Sequence, residues 1–148
     1  MVNFRITKKE DVPATIKLME EFRDESLGEY GITISSEYIL ATAEKYLDSS
    51  FVAEKDGVII GVLVLSVQVL PMSGEKVAQE LIWYMNKNFR KYGIKLLTFA
   101  ENWCIAQGMK KLIMMCMANL HSEQLSKFYA RCGFVPLEFQ YIKQLGEA

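Results

Sequence analysis

The chain has 148 residues, 51% hydrophobic and 24% charged, with a formal net charge of −1 and an isoelectric point near 5.9. That length suits one domain over 1–148, and the composition is that of a folded chain, not a disordered one. The near-zero balance gives no bulk drive toward nucleic acid or an anionic membrane, and no apolar run approaches the roughly 20 residues of a membrane helix.

Residues 3–7 read as a strand, with Phe4 and Ile6 alternating against Asn3 and Arg5. Thr7 and Glu10 have capping-box spacing, and Val12, Ile16 and Met19 carry a first helix to about Glu25. Residues 27–33 form a loop. Ser35 or Ser36 caps a second helix with Ile39, Ala43 and Tyr46 along one face. A short strand at 51–54 and a long one at 58–69 flank the turn signal Asp56-Gly57. After a break at 71–74 comes a strand over 76–86, with Leu81, Trp83 and Met85 on one face and Glu80, Ile82 and Tyr84 on the other. A basic loop at 87–93 leads into a helix whose buried stripe is Leu96, Leu97, Ala100, Trp103 and Cys104, ended by Gly108. The run 112–117 is continuously apolar, as at the centre of a mixed or parallel sheet. Asn119 caps a last helix with Leu125, Phe128, Tyr129 and Cys132 inward, and 134–142 supplies one or two final strands, with Pro136 as a break or edge. The order predicts an α/β sheet domain in which 76–117 is a right-handed crossover joining two parallel strands.

MVNFRITKKE turns polar too early for a secretory signal peptide. Cys104, Cys116 and Cys132 are odd in number and lack metal-ligand spacing, so reduced thiols and a cytoplasmic location are expected and no metal site is. The informative segment is 87–95. Arg90, Lys91, Tyr92, Gly93, Ile94 and Lys95 lie between a strand and a helix start, where unpaired amides and the helix dipole favour an anion. Cations and a glycine there suit a pyrophosphate; a tight turn with solvated charges is the plainer alternative. A flavodoxin-like nucleotide binder would need its phosphate loop after the first strand, and 7–12 is glycine-poor.

This segment resembles the acetyl-CoA loop of the GCN5-related N-acetyltransferases (the GNAT superfamily), Arg/Gln-x-x-Gly-x-Gly/Ala. Arg90 and Gly93 match, and Lys95 stands where the family usually has glycine or alanine. Asn119 followed by Phe128-Tyr129-Ala130-Arg131-Cys132-Gly133-Phe134 is similar to the family's Asn … Phe/Leu-Tyr-x-x-x-Gly-Phe signature, and the element order fits from end to end. The resemblance implies a central mixed sheet of six to seven strands flanked by four helices, with the parallel strands 76–86 and 111–117 splayed around the pantetheine arm. It implies an N-acetyltransferase that passes the acetyl group of acetyl-CoA directly to a primary amine. A GNAT-fold CoA-binding or protein-interaction module without catalysis is the alternative.

In that scheme Tyr129 protonates the leaving thiolate, the backbone N–H of Met85 polarises the thioester carbonyl, and Asn119 and Ser126 contact the cofactor arm. Asn119 capping a helix and Tyr129 filling the core are the competing assignments. Glu80, a carboxylate inside an apolar strand, is the candidate base, against an exposed or ion-paired role. His121, the only histidine, is its rival at the carboxyl end of a central strand. The acceptor is expected between the first two helices, strand 76–86 and the C-terminal strands. There Asp24, Glu25 and Glu29 attract a cationic amine or form an ordinary polar loop, and Trp83, Tyr84 and Tyr141 line a pocket or the core. Polyamine-like molecules, aminoglycosides, amino acids and protein amines remain open, with aminoacyl-tRNA weakest. Strand-edge pairing into a homodimer is compatible with the family.

Overall fold

The computed structural model describes residues 1–147. Its elements are β1 (Val2–Ile6), α1 (Val12–Glu25), α2 (Ser36–Lys45), β2 (Ser50–Lys55), β3 (Val58–Val69), β4 (Lys76–Met85), α3 (Gly93–Ala106), β5 (Leu112–Ile113) and α4 (Ser122–Arg131). The strands form one sheet in the order β1-β2-β3-β4-β5, antiparallel except for the parallel pair β4–β5. Strand alternation divides the core in two. Phe51, Leu63 and Leu65 face α3 and α4, packing on Leu96, Leu97 and Ala100. Val52, Val62 and Val64 face Leu18, Met19 and Phe22 of α1. β3 is covered on both faces, which explains its unbroken apolar run.

Local signals act largely as expected. Ser35 caps α2 by accepting from the Tyr38 N–H, and Pro13 occupies the first turn of α1. The capping interaction before α1 is displaced by one residue: Lys8 N–H donates to Asp11, while Thr7 Oγ1 is hydrogen-bonded to Ser50 Oγ.

Three expectations need correction. The sheet has five strands, not six to seven, because 134–142 joins no ladder. Val135, Leu137, Phe139 and Tyr141 stand 71–95% exposed. The physical reason is that β5 pairs over only two residues and offers no edge long enough for another strand to extend. Secondly, the face alternation of 76–86 is interrupted. Val64 pairs with Ile82 but Leu65 pairs with Glu80, so Leu81 is an extra, bulged residue. Beyond the bulge the faces exchange: Ala78, Trp83 and Met85 all serve the α3–α4 core, while Ile82 and Tyr84 serve the α1 core. Glu80, two residues from Ala78, therefore sides with Trp83 and Met85. Finally, α4 is capped not by Asn119 but by His121, in a left-handed conformation (φ 51°). Among the described residues no helix is long and apolar enough to cross a membrane.

Candidate functional site

β4 and β5 run together for two residue pairs, Ala78–Leu112 and Gln79–Ile113, and then part. Where the ladder stops, side chains satisfy the backbone just after β5. Glu80 accepts from the Met115 N–H at 3.0 Å, and the Tyr129 hydroxyl donates to the Met115 carbonyl at 2.8 Å. A carboxyl group interposed where an N–H···O bond would otherwise close the ladder keeps the strands separated. Further along β4, the Asn86 N–H donates back to Ile60 O of β3 at 2.8 Å. Amide direction alternates along a strand, so the preceding Met85 N–H turns the other way, into the split.

A cavity of about 180 Å³ opens at this end of the split. Trp83, Met85 and Leu125 line it from the α3–α4 side, and Tyr84 and Leu120 from the α1 side. It thus passes through the sheet plane. Arg90, His121 and Gly93 complete its wall. Arg90–Tyr92 make one 3₁₀ turn that delivers the chain into α3, whose first turn has no side-chain cap and no acidic residue. The Gly93 N–H donates to Arg90 O within that turn, and the first-turn amides after it, which meet no side-chain cap, point with the helix dipole toward an anion. Lys91 and Lys95 are exposed beside them, so the lysine at the family's small-residue position projects into solvent. Gly93 has ordinary helical geometry (φ −60°), so it is not required for a turn. What it supplies is space: a Cβ there would stand 3.3 Å from Met85 Cγ and 3.4 Å from Trp83 Cζ2, a tight fit against both side chains. Trp83 lines the cavity with its ring, while its Nε1 is fully buried without a protein partner.

A polar network spans the cavity mouth. Glu25, the last residue of α1, accepts from the Tyr84 hydroxyl through one oxygen and pairs with Arg90 Nη2 through the other. Arg90 Nη1 donates to His121 Nε2 at 3.2 Å, and the guanidinium lies over the Tyr84 ring, 5.9 Å from its centroid. Burial opposes the Glu25 charge, but the bonds from Tyr84 and Arg90 outweigh it and hold this carboxyl below its usual range. Burial, then the Glu25 carboxylate, push the Tyr84 phenol up.

Glu80 and Tyr129 sit deeper, at Met115, rather than in the cavity lining. Burial pushes the Glu80 carboxyl up to about 8, against the opposing Met115 N–H. Burial raises the Tyr129 phenol, and the charges of Glu80 and Cys116 raise it further. The structure thus brings Glu80, Tyr129 and Met85 around the split, with Arg90, Gly93 and His121 at its mouth. Ser126 on α4 lies 3.8 Å from Cys116 Sγ. Asn119 is engaged with α1 and the turn after it: its amide nitrogen donates to Ser26 O (3.0 Å) and Glu29 Oε2 (2.6 Å), and its oxygen accepts from Ser26 Oγ (2.8 Å). Both of its amide hydrogens and one acceptor site of its oxygen bind the segment after β5 to the end of α1. Tyr141 stands 95% exposed, away from the aromatic wall made by Trp83 and Tyr84. Among the described residues no cluster of metal-ligating side chains exists.

The Glu25–Tyr84–Arg90 network was not assembled from the sequence, because its members are up to 65 residues apart. One signal was present: Glu21, Glu25 and Glu29 recur every fourth residue, and each reaches a different partner across the cleft, namely Asn86, Tyr84 with Arg90, and Asn119. A larger groove of about 450 Å³ between α1 and the β2–β3 turn is also acidic, but Asp11 and Glu54 there are spent on Arg5.

A family model described as the acetyltransferase (GNAT) family matches residues 15–134. Comparison with curated proteins gives no match. Among solved structures, the aminoglycoside N-acetyltransferase AAC(6')-Iy in complex with a CoA-linked bisubstrate analogue superposes with a TM-score of 0.75 at 18% identity, covering 97% of each chain. A ribosomal-protein-alanine N-acetyltransferase from Brucella melitensis biovar Abortus 2308 gives 0.72 at 16%, covering 99% of this chain and 100% of that one. A Trypanosoma brucei acetyltransferase gives 0.74 at 18%, covering 98% and 100%.

Proposed function

The chain belongs to the acetyltransferase (GNAT) family, and on that footing we propose that it transfers the acetyl group of acetyl-CoA to a primary amine by direct attack. The observation that carries this reading is the β4–β5 split, with the Met85 amide turned into it and the uncapped start of α3 beside it. The residues suit the co-substrate. The first-turn amides after Gly93 and the nearby cations suit a diphosphate, and the Met85 N–H supplies a donor where a thioester would lie.

In this mechanism the amine nitrogen attacks the thioester carbon, forming the C–N bond. The carbonyl oxygen takes the displaced electron pair and accepts from the Met85 N–H. Collapse breaks the C–S bond, and the sulfur takes a proton from the Tyr129 hydroxyl, which burial keeps protonated. Glu80, with a pKa near the operating pH, receives the proton lost by the amine through water; His121 at the cavity mouth is the alternative acceptor.

Incubation with acetyl-CoA and a panel of amines, following free thiol, tests the reading. Turnover on at least one amine that falls on Tyr129→Phe supports it. The alternative, a CoA-binding module without catalysis, draws on the engagement of both Glu80 and Tyr129 with the Met115 backbone. A rise in Tm with CoA and no thiol release on any amine would favour that alternative. No rise in Tm at all would remove both.

A further inference from the structure

Arg90 occupies the first position of the Arg-x-x-Gly segment, three residues before the start of α3, yet its guanidinium is not directed to the helix amides. It is paired with Glu25 of α1 and bonded to His121, the cap of α4. Arg90 thus bridges three elements across the mouth of the cavity. The Glu25–Arg90 side chains are 28% and 37% exposed, so the pair is neither locked in the core nor fully dissolved in water. Among the described residues Glu25 has no other salt-bridge partner.

A diphosphate at the start of α3 and the Glu25 carboxylate are two anions within reach of one guanidinium. Phosphate offers a bidentate surface with more charge than a carboxylate, so it wins that competition. We propose that Arg90 exchanges partners on cofactor binding, leaving Glu25 for the diphosphate, and that the Glu25 carboxylate so released binds the ammonium group of a cationic acceptor. The inference rests on the acetyltransferase reading and deepens it. It assigns the acceptor class, names Glu25 as its binding residue, and makes cofactor arrival the event that prepares the acceptor site.

The geometry supports each part. Glu25 stands behind the cavity lining at the end of α1, bonded to two residues that do line it, Tyr84 and Arg90, on the face opposite the core that holds Met85 and Tyr129, so an amine bound to it approaches the split from the α1 side. Tyr84 keeps its hydroxyl bond to Glu25 through the exchange and acts as a positioning residue, fixing one carboxylate oxygen while the other is exposed. Before cofactor binds, a cationic amine meets Arg90 in its place. Acceptor and cofactor affinities are then coupled, and the coupling is reciprocal.

Isothermal titration of CoA into wild type, Glu25→Gln, Arg90→Ala and the double variant at low ionic strength tests the exchange without reference to any acceptor. Removing the Glu25 charge frees Arg90, so Glu25→Gln should bind CoA about fivefold tighter, the scale of a part-exposed ion pair. Arg90→Ala should bind CoA more weakly, and in that background Glu25→Gln should change nothing. Glu25→Gln with unaltered or weakened CoA affinity, or with the same effect whether or not Arg90 is present, overturns the exchange. For the panel amine of highest turnover, Glu25→Gln should raise KM about tenfold or more with a smaller change in kcat; an unchanged KM overturns the role of Glu25 toward the acceptor. Failure of wild type to bind CoA would instead strike the acetyltransferase reading itself, and the exchange with it.

Discussion

Replacing Glu80 by glutamine should stabilise the protein, and by an amount that grows with pH. The side chain keeps its shape, and its oxygen still accepts from the Met115 N–H. What changes is the charge. The Glu80 carboxyl titrates at about 8 in the folded protein because it is buried, against an ordinary value of 4.5. Between those values the native state retains a proton that the unfolded chain has released. Wild-type stability therefore falls as pH rises from about 4.5 to about 8 and levels off above that. Glutamine removes this slope. At 1.36 kcal/mol per unit, Glu80→Gln should gain under about 1 kcal/mol at pH 5, about 3 kcal/mol at pH 7 and about 5 kcal/mol above pH 8. Urea unfolding of both proteins at pH 5, 7 and 8.5 measures the difference directly. A gap that is constant with pH, or a variant less stable than wild type at pH 8.5, would refute the assignment of a buried carboxyl held largely neutral. The same variant should lose turnover; retained turnover would reduce Glu80 to its structural place between the strands.

Three further substitutions separate structural from chemical roles. Tyr129→Phe removes the bond to Met115 O and should lower stability by about 1 kcal/mol. Thiol release should fall about 100-fold, as for loss of a general acid; a stability loss with full turnover would make Tyr129 a core residue. Asn119→Ala cuts three hydrogen bonds to Ser26 and Glu29 and should destabilise by about 2 kcal/mol while leaving CoA affinity unchanged by calorimetry. A loss of CoA affinity matching that of Arg90→Ala would return Asn119 to the cofactor. Gly93→Ala meets no backbone strain and gains helix propensity, so its stability should stay within about 1 kcal/mol of wild type. Its new methyl crowds Met85 and Trp83, and CoA affinity by calorimetry should fall several-fold; unaltered affinity would separate those residues from the cofactor.

The sequence carries the helices and the antiparallel strands plainly, because each is set by local periodicity and caps: α2 begins at Ser36 after its Ser35 cap, and β3 spans its whole apolar run. It carries the end of the sheet poorly. Residues 112–117 and 134–142 have strand-like composition, but pairing depends on a neighbour, and the neighbour of β5 departs after two residues. Likewise the sequence places Arg90 and Gly93 beside a helix start, whereas it does not show the partner of Arg90. Nothing local ties Arg90 to a carboxylate 65 residues earlier. Asn119 shows the opposite case: a good capping residue type, but the helix starts at Ser122 with His121 at the cap position, and the Asn119 side chain is bonded to Ser26 and Glu29 instead.

The single inserted residue in β4 explains why these parts form one site. Glu80 and Met85 are five positions apart, an odd number, and in an unbroken strand they would face opposite sides of the sheet. The bulge at Leu81 adds the half-step that brings both to the side of Tyr129. It also turns Glu80 toward β5 at the point where the ladder would continue, so its carboxyl takes the Met115 N–H in place of a backbone acceptor. One residue thus opens the split, sets the candidate base inside it, and leaves the Met85 amide without a strand to pair with. In the proposed mechanism these are the proton acceptor, the passage and the oxyanion donor, and their coincidence is a consequence of register rather than of three independent adaptations.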